Sequence, residues 1–275
     1  MSGSVTDQLS ALAHERRLDI FRLLMRRYPD AVPAGEIAQA LDLRPNTTSV
    51  YLSALRQANL VSQTRRGTFQ LYRIRMEAVQ GLFGDMLGAC CRNRPDICMP
   101  WDMTRPRDLN ARPFEVLFLC SHNSARSIMA EALLRASGPL FHAHSAGTHP
   151  AGTPHPAALQ VLGAHGIEVS GLQAKAVADH LRDAPAIDLV ITVCNRAAHE
   201  DLYDWPGSPL HAHWGLPDPL DDPDHTEAAM RRVFDMLRPR IQALAALPLA
   251  DLDAPGLQSA LDDIGRWPIP DMPTH

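Results

Sequence analysis

The sequence predicts two domains, an N-terminal α+β winged helix-turn-helix and a C-terminal α/β domain built on a parallel sheet. Three observations lead there. In the first hundred residues, two short amphipathic segments precede a run that alternates on both sides of Arg66-Gly67, giving the order helix, helix, hairpin. From Phe114 onward, short apolar runs alternate with helical periodicity, the pattern of strands covered on both faces by helices. Between them "MPWDMTRPRDLNARP", 99 to 113, has three prolines and little periodicity, so it reads as a linker. The expected domains are 1–98 and 114–275, with 99–113 joining them.

Each element has its own justification. Leu9, Leu12, Ile20, Leu23 and Leu24 recur at helical spacing from Ser4 to Arg27, with a break expected at His14 to Arg17. "PAGEIAQALDL" is a short helix, and Pro45 sits where proline suits a first helical turn, opening a helix with Leu52 and Leu55 inward. "LVSQTRRGTFQLYRI" is the hairpin, and residues 76–89 form another helix with Val79, Leu82, Phe83, Met86 and Leu87 apolar. In the second domain "FEVLFLC", "LFHAHSAG" and "DLVITVC" are strands. "SIMAEALLR", "HPAALQVLGAHG", "AAMRRVFDMLRPRIQALAAL" and "GLQSALDDIG" are helices.

Composition limits the function. The 275 residues carry a net charge of −5 that is unevenly shared. Up to Pro95 there are 13 Arg against 8 Asp and Glu, a surplus of five; beyond it 13 basic residues face 23 acidic ones, a deficit of ten. This asymmetry points to a nucleic-acid partner for the first half only. No apolar stretch is long enough to span a bilayer, the N-terminus lacks signal-peptide features, and the expected location is the cytoplasm without a membrane partner. Five cysteines in that reducing setting argue for thiol chemistry or soft-metal binding rather than disulfides.

The densest chemistry lies in "FLCSHNSARSIMAEALLR", 118 to 135. Cys120 ends a strand and Ser127 begins a helix, so the backbone N–H groups of Ser121, His122, Asn123, Ser124 and Ala125 can converge at a positive helix end. That arrangement suits a tetrahedral oxyanion. Arg126 adds a planar fork of donors for two anion oxygens, and Ser124 or Ser127 can donate a further hydrogen bond to the cysteine thiolate. The same field is expected to lower the Cys120 pKa and furnish a thiolate.

"CSHNSARS" resembles the anion-binding loop of the low-molecular-weight phosphatase fold and, more closely, that of the thiol-dependent arsenate reductases. The resemblance extends over about residues 114 to 265, with "SAGT" and "GLPDP" fitting it. It implies that Cys120 attacks the oxyanion, Arg126 binds it, Asn123 holds a left-handed turn and Asp218 protonates the leaving oxygen. A carboxyl beside an anion can retain the proton this needs. Phosphotyrosine phosphatases of this fold carry tyrosines after Asp-Pro, whereas here the run is "DPLDDPDH". Cys194 stands where the reductases keep a second thiol, and Asp201 stands where many carry a third cysteine. The resemblance therefore implies arsenate as substrate, no bound cofactor, and an external thiol reductant: thioredoxin, glutathione with glutaredoxin, or mycothiol. A phosphatase, a non-catalytic oxyanion-binding effector domain and a core role for Cys194 stay open at this point.

The first domain resembles an ArsR-type repressor over roughly residues 5 to 98. This implies a homodimer on operator DNA, with the helix from Pro45 in the major groove. Thr47, Ser49, Tyr51 and Arg56 are candidate contacts, and Arg65 and Arg66 at the hairpin tip reach phosphate or minor groove. In "CCRNRPDIC", Cys90, Cys91 and Cys98 place three soft ligands on a short loop. Three thiolates suit trigonal arsenite or antimonite, with arsenite the expected effector, while zinc would want a fourth ligand. The pairs His142/His144 and His211/His213 share strand faces, and are expected to be ordinary histidines rather than metal ligands.

Overall fold

The computed structural model describes residues 4–90, 112–183, 186–200, 205, 209–221 and 226–268. The chain divides into two units, Met1–Thr104 and Arg105–His275, each with its own apolar core. Among the described residues no helix is long and apolar enough to cross a membrane.

In the first unit, α1 (Val5–Leu12) is opened by a capping box in which Ser4 and Asp7 satisfy each other's backbone N–H groups. The break falls at Ala13 and His14, earlier than the expected His14 to Arg17, and α2 (Glu15–Arg26) already includes Arg16 and Arg17. A two-residue strand, β1 (Val32–Pro33), leads into α3 (Ala34–Ala40), and α4 (Pro45–Gln57) starts on Pro45 as anticipated. Leu52 and Leu55 are fully buried, each worth about 1.5–3 kcal/mol. The hairpin is β2 (Val61–Arg66) and β3 (Phe69–Ile74), with Gly67 at φ +59° in its turn. β3 also pairs with β1, a strand too short to leave a periodic signal.

The helix expected over 76–89 divides into α5 (Met76–Asp85) and a π-helical turn at Met86–Cys90. Val79 and Leu82 are buried, whereas Phe83 is 53% exposed and Leu87 37%. Half of its apolar stripe therefore lies open. Residues 91–111, which include Cys91, Cys98 and most of the expected linker, lie outside the described residues.

The second unit is organised by β4 (Phe114–Cys120), all seven residues of which are buried. Successive strand side chains point to opposite faces, so both faces are covered. The sheet order is β5-β4-β6-β7, all pairs parallel, with β5 at Phe141–Gly147, β6 at Leu189–Thr192 and β7 at Leu210–His213. The helices are α6 (Arg126–Arg135), α7 (Pro156–Ala164), α8 (Val177–Asp183), α9 (Asn195–Glu200), α10 (Thr226–Ala245) and α11 (Ala254–Gly265). Strand β7 and helices α8 and α9 were not separated by the sequence pattern, because each is shorter than two helical turns or carries mixed residues.

This order reverses direction at β4. From it the chain steps outward to β5, then returns across to β6. Such a switch point leaves a crevice at the carboxyl ends of the two strands that flank it. At the opposite end, Arg112 clamps the buried carboxylate of Asp188 with two hydrogen bonds of 2.7 and 2.8 Å. Asp188 also accepts the N–H of Glu115 at 2.9 Å, which fixes β4 against the start of β6.

Candidate active site

Cys120 ends β4 inside the crevice, and the chain loops from Ser121 to Ala125 before α6 begins at Arg126. The loop's shape follows from where its carbonyls go. Those of Cys120, Ser121, His122 and Ser124 accept N–H groups from Thr148, His149, Ala151 and His155, at 3.2, 2.8, 2.9 and 2.8 Å. With the carbonyls turned outward, the peptide N–H groups between them turn inward, making an anion-binding concavity. The N–H of Asn123 already donates to Cys120 Sγ at 3.1 Å.

Asn123 adopts φ +46°, a left-handed conformation that asparagine tolerates better than most residues. Its amide holds the loop in three directions. Nδ2 donates to Ser127 Oγ at 2.9 Å and Ser145 Oγ at 2.8 Å, and Oδ1 accepts the Lys175 N–H at 2.7 Å. Ser145 in turn donates to Glu131, a fully buried carboxylate paired with Arg135 and lying 3.6 Å from Lys175 Nζ. Ser127 Oγ lies 2.8 Å from Cys120 Sγ. A buried polar chain thus runs from the thiol through Ser127, Asn123 and Ser145 to Glu131. Ser145 opens the "SAGT" run, but the meeting of Glu131 and Lys175 with it left no sequence signal, because the spacings between them are set by the sheet.

Gly147, the third residue of "SAGT", has a steric role. A Cβ there would lie 2.8 Å from the Ser121 carbonyl oxygen and 3.0 Å from both Asn123 N and Cβ. Only glycine lets β5 approach the loop this closely.

The structure brings Cys194 and Asp218 to the same crevice. β4 and β6 are neighbours in register, Leu119 opposite Thr192, so the chain leaves β6 beside Cys120. Cys194 lies two residues beyond the strand end, where its Sγ is 3.4 Å from Ser121 Oγ and accepts the Ala197 N–H of α9 at 3.4 Å. Asp218 follows β7, and its carboxylate pairs with Arg126 while also accepting the Leu220 N–H at 3.1 Å. Arg126 donates as well to the Leu216 carbonyl at 3.2 Å. Of the loop residues only His122 is exposed; Ser121, Asn123, Ser124, Ala125, Arg126 and Ser127 are all buried.

One expectation is corrected. The Cys120 pKa is raised, not lowered: complete burial pushes the thiol up, and neighbouring Cys194 adds to it. The hydrogen bond from Ser127 and the charge of Arg126 act the other way without overcoming burial. Arg126 is held by Asp218, so its charge is partly neutralised before it reaches the sulfur.

The histidine pairs resolve simply. His142 Nδ1 and His144 Nε2 both meet the buried Glu115 carboxylate, at 3.0 and 2.7 Å, and His213 Nδ1 meets Thr192 Oγ1 at 2.8 Å. Among the described residues no group of three or more His, Cys, Asp or Glu is arranged to hold a metal ion.

On the first unit, Ser49, Arg56, Arg65 and Arg66 are exposed and Thr47 is half-buried. Ser49 Oγ donates to the Pro45 carbonyl at 3.0 Å, and Arg65 Nε to that of Gly67 at 3.0 Å. Tyr51 is half-buried against the core with its ring 4.9 Å from that of His14, which sets it apart from the outward face of α4. Cys90 is exposed, while Cys91, Cys98 and Asp201 lie outside the described residues.

Residues 115–254 match the family described as low molecular weight phosphotyrosine protein phosphatase, and residues 12–64 match a helix-turn-helix domain. The chain is similar to the arsenate reductase of Bacillus licheniformis, 34% identical over 138 residues that cover 47% of this chain and 94% of that protein. It is also similar to the arsenate reductase of Halalkalibacterium halodurans, 32% identical over 134 residues, again 47% and 94%. A solved arsenate reductase structure from Archaeoglobus fulgidus is 30% identical, covering 48% of this chain and 99% of that one, with a TM-score of 0.39.

Two expected outcomes follow from this geometry. Gly147→Ala displaces the loop backbone and should weaken inorganic phosphate binding, with roughly a 10²-fold loss in any turnover at the site; calorimetric titration and kinetics check both. Because the Cys120 pKa is raised, the thiolate is the form lost as pH falls. Alkylation of Cys120 by iodoacetamide, followed by peptide mass spectrometry, should keep accelerating above the ordinary thiol value of 9.0 instead of levelling there.

Proposed function

Because residues 115–254 make this chain a member of the low molecular weight phosphotyrosine protein phosphatase family, we propose that its second unit is a thiol-dependent arsenate reductase and its first an arsenic-responsive repressor. The observation that carries the enzymatic half is the placement of Cys194 beside the Cys120 loop, separated from it by Ser121 Oγ. A phosphatase needs one thiol; a reductase needs a second within reach of the first. The relatives named above, being arsenate reductases, support the same substrate.

Arsenate enters the loop, and its oxygens take the inward N–H groups and the guanidinium of Arg126. Arg126 then exchanges the Asp218 carboxylate for the substrate, and Asp218, freed from the ion pair, takes up by way of the bound arsenate the proton that the Cys120 thiol gives up, so that it can deliver that proton to the leaving oxygen. The Cys120 thiolate, stabilised by donors from Ser127 and Asn123, attacks arsenic; an As–O bond breaks and the oxygen departs as water with a proton from Asp218. Cys194 next attacks Cys120 Sγ. A disulfide forms, the S–As bond breaks with its electron pair going to arsenic, and arsenite with As(III) is released. Two electrons from an external thiol, whether thioredoxin, glutathione with glutaredoxin, or mycothiol, restore both cysteines. With Asp201 in the place of a third cysteine, that thiol acts directly on the Cys120–Cys194 pair. "DPLDDPDH" offers no aromatic platform for an aryl phosphate, which favours a small oxyanion.

For the first unit, the helix-turn-helix match and the basic surplus support operator DNA as partner. Leu9 on α1, Phe83 on α5 and Leu87 in the π-helical turn that follows, all exposed, support a homodimer through these segments. Cys90, Cys91 and Cys98 are the arsenite site, and binding there releases DNA. One cytoplasmic chain would thus generate arsenite and respond to it.

Cys120→Ser should abolish arsenate reduction yet leave operator binding unchanged. Cys194→Ser should stop after one arsenylation, with no disulfide formed. Arsenate turnover measured with different thiol donors tests both; phosphate-ester hydrolysis without arsenate reduction would instead identify a phosphatase. Cys98→Ser should retain DNA binding but lose its release by arsenite, as read by fluorescence anisotropy.

A further inference from the structure

Helix α4 carries an exposed aliphatic side chain that the fold does not use. Its inner side is Thr48, Leu52 and Leu55, all buried. Its outer side presents Asn46, Ser49, Val50 and Gln57 to solvent. Val50 is 66% exposed, more than any other large apolar side chain among the described residues. A β-branched residue is a mediocre helix former, and here it gains no burial in return.

The polar groups around Val50 narrow what this face can recognise. Ser49 Oγ donates to the Pro45 carbonyl at 3.0 Å, and Thr48 Oγ1 to that of Arg44 at 3.1 Å. Ser53 Oγ accepts the Gln57 amide at 3.5 Å. The hydroxyls of Thr48, Ser49 and Ser53 are thus turned onto the helix itself or engaged by a neighbour. Exposed beside them are Asn46 and, one turn on, Val50. Arg44 and Arg56 are exposed toward the two ends of the helix, suited to flanking phosphates.

Resting on the DNA-binding reading of the first unit, we infer that Val50 reads thymine through its C5 methyl. That methyl is the apolar group a base presents in the major groove, and an aliphatic side chain is its match. Asn46, four residues earlier on the same stripe, has the paired donor and acceptor that suit adenine N6 and N7. The face therefore selects A·T pairs, with Val50 as the residue that fixes which strand carries thymine. A dimer would place one such thymine in each half-site.

The test uses the full chain. Duplexes are selected from a random library by the wild-type protein, and each thymine of the enriched sequence is then replaced in turn by deoxyuridine, which lacks only the methyl. One thymine per half-site should show a loss of about fourfold in affinity, the value of one buried methyl-sized group. Val50→Ala and Val50→Ser, both at an exposed position and so able to fold, should bind thymine and uracil versions equally at that site. Equal sensitivity in wild type and variants, or no sensitive thymine at all, would overturn the inference. Enrichment of no sequence would overturn the DNA-binding reading beneath it.

Discussion

The second unit depends on the direction in which one short loop sends its carbonyls. Four carbonyls from Cys120 to Ser124 are spent on N–H groups of residues 148–155, which leaves the other side of the loop to its N–H groups, and that of Asn123 donates to the sulfur. This needs two further concessions from the chain. Asn123 accepts a left-handed backbone, and Gly147 gives up a side chain so that β5 can close on the loop. Glu131, with no exposed surface, anchors the arrangement through Ser145 while Arg135 and Lys175 offset its charge. A buried carboxylate left unpaired would cost several kcal/mol, so these partners are required for the loop to hold its shape.

Strand order supplies the rest of the site. The direction reversal at β4 opens a crevice where the ends of β4 and β6 lie side by side, and both cysteines arrive there from different stretches of chain. Asp218 comes from the segment after β7 and meets Arg126 directly. The carboxylate thus occupies the guanidinium that an incoming oxyanion would claim. Charge on the loop is balanced within the protein until substrate replaces one partner. Burial of Cys120 fits the same scheme: its surroundings push the thiol pKa up, while Ser127 Oγ at 2.8 Å and the Asn123 N–H at 3.1 Å stand against the sulfur.

The first unit follows a different logic. Its core is made by α2, α3, α4 and the hairpin, with Ile20, Leu23, Leu24, Ile37, Leu52 and Leu55 fully buried. The opposite surfaces are left for recognition. The outer side of α4 exposes Val50 among polar groups, whereas Phe83 on α5 and Leu87 in the π-helical turn after it are exposed apolar side chains.

The sequence by itself determined what lies within one element or one tight turn. Strand β4, the start of α4 at Pro45 and the closeness of Cys120, Asn123, Arg126 and Ser127 all follow from periodicity and short spacing, since neighbours along the chain cannot be far apart in space. Only the tertiary structure decided that Cys194, seventy-four residues beyond Cys120, stands beside it, that Arg126 pairs with Asp218, and that Gly147 must lack a Cβ. Those facts depend on strand order and register, which hydrophobic pattern leaves open. The inward turn of Tyr51 and the raised pKa of Cys120 were beyond the sequence for a related reason. Burial is the sum of contacts from every side, and a motif specifies only the side that it contains.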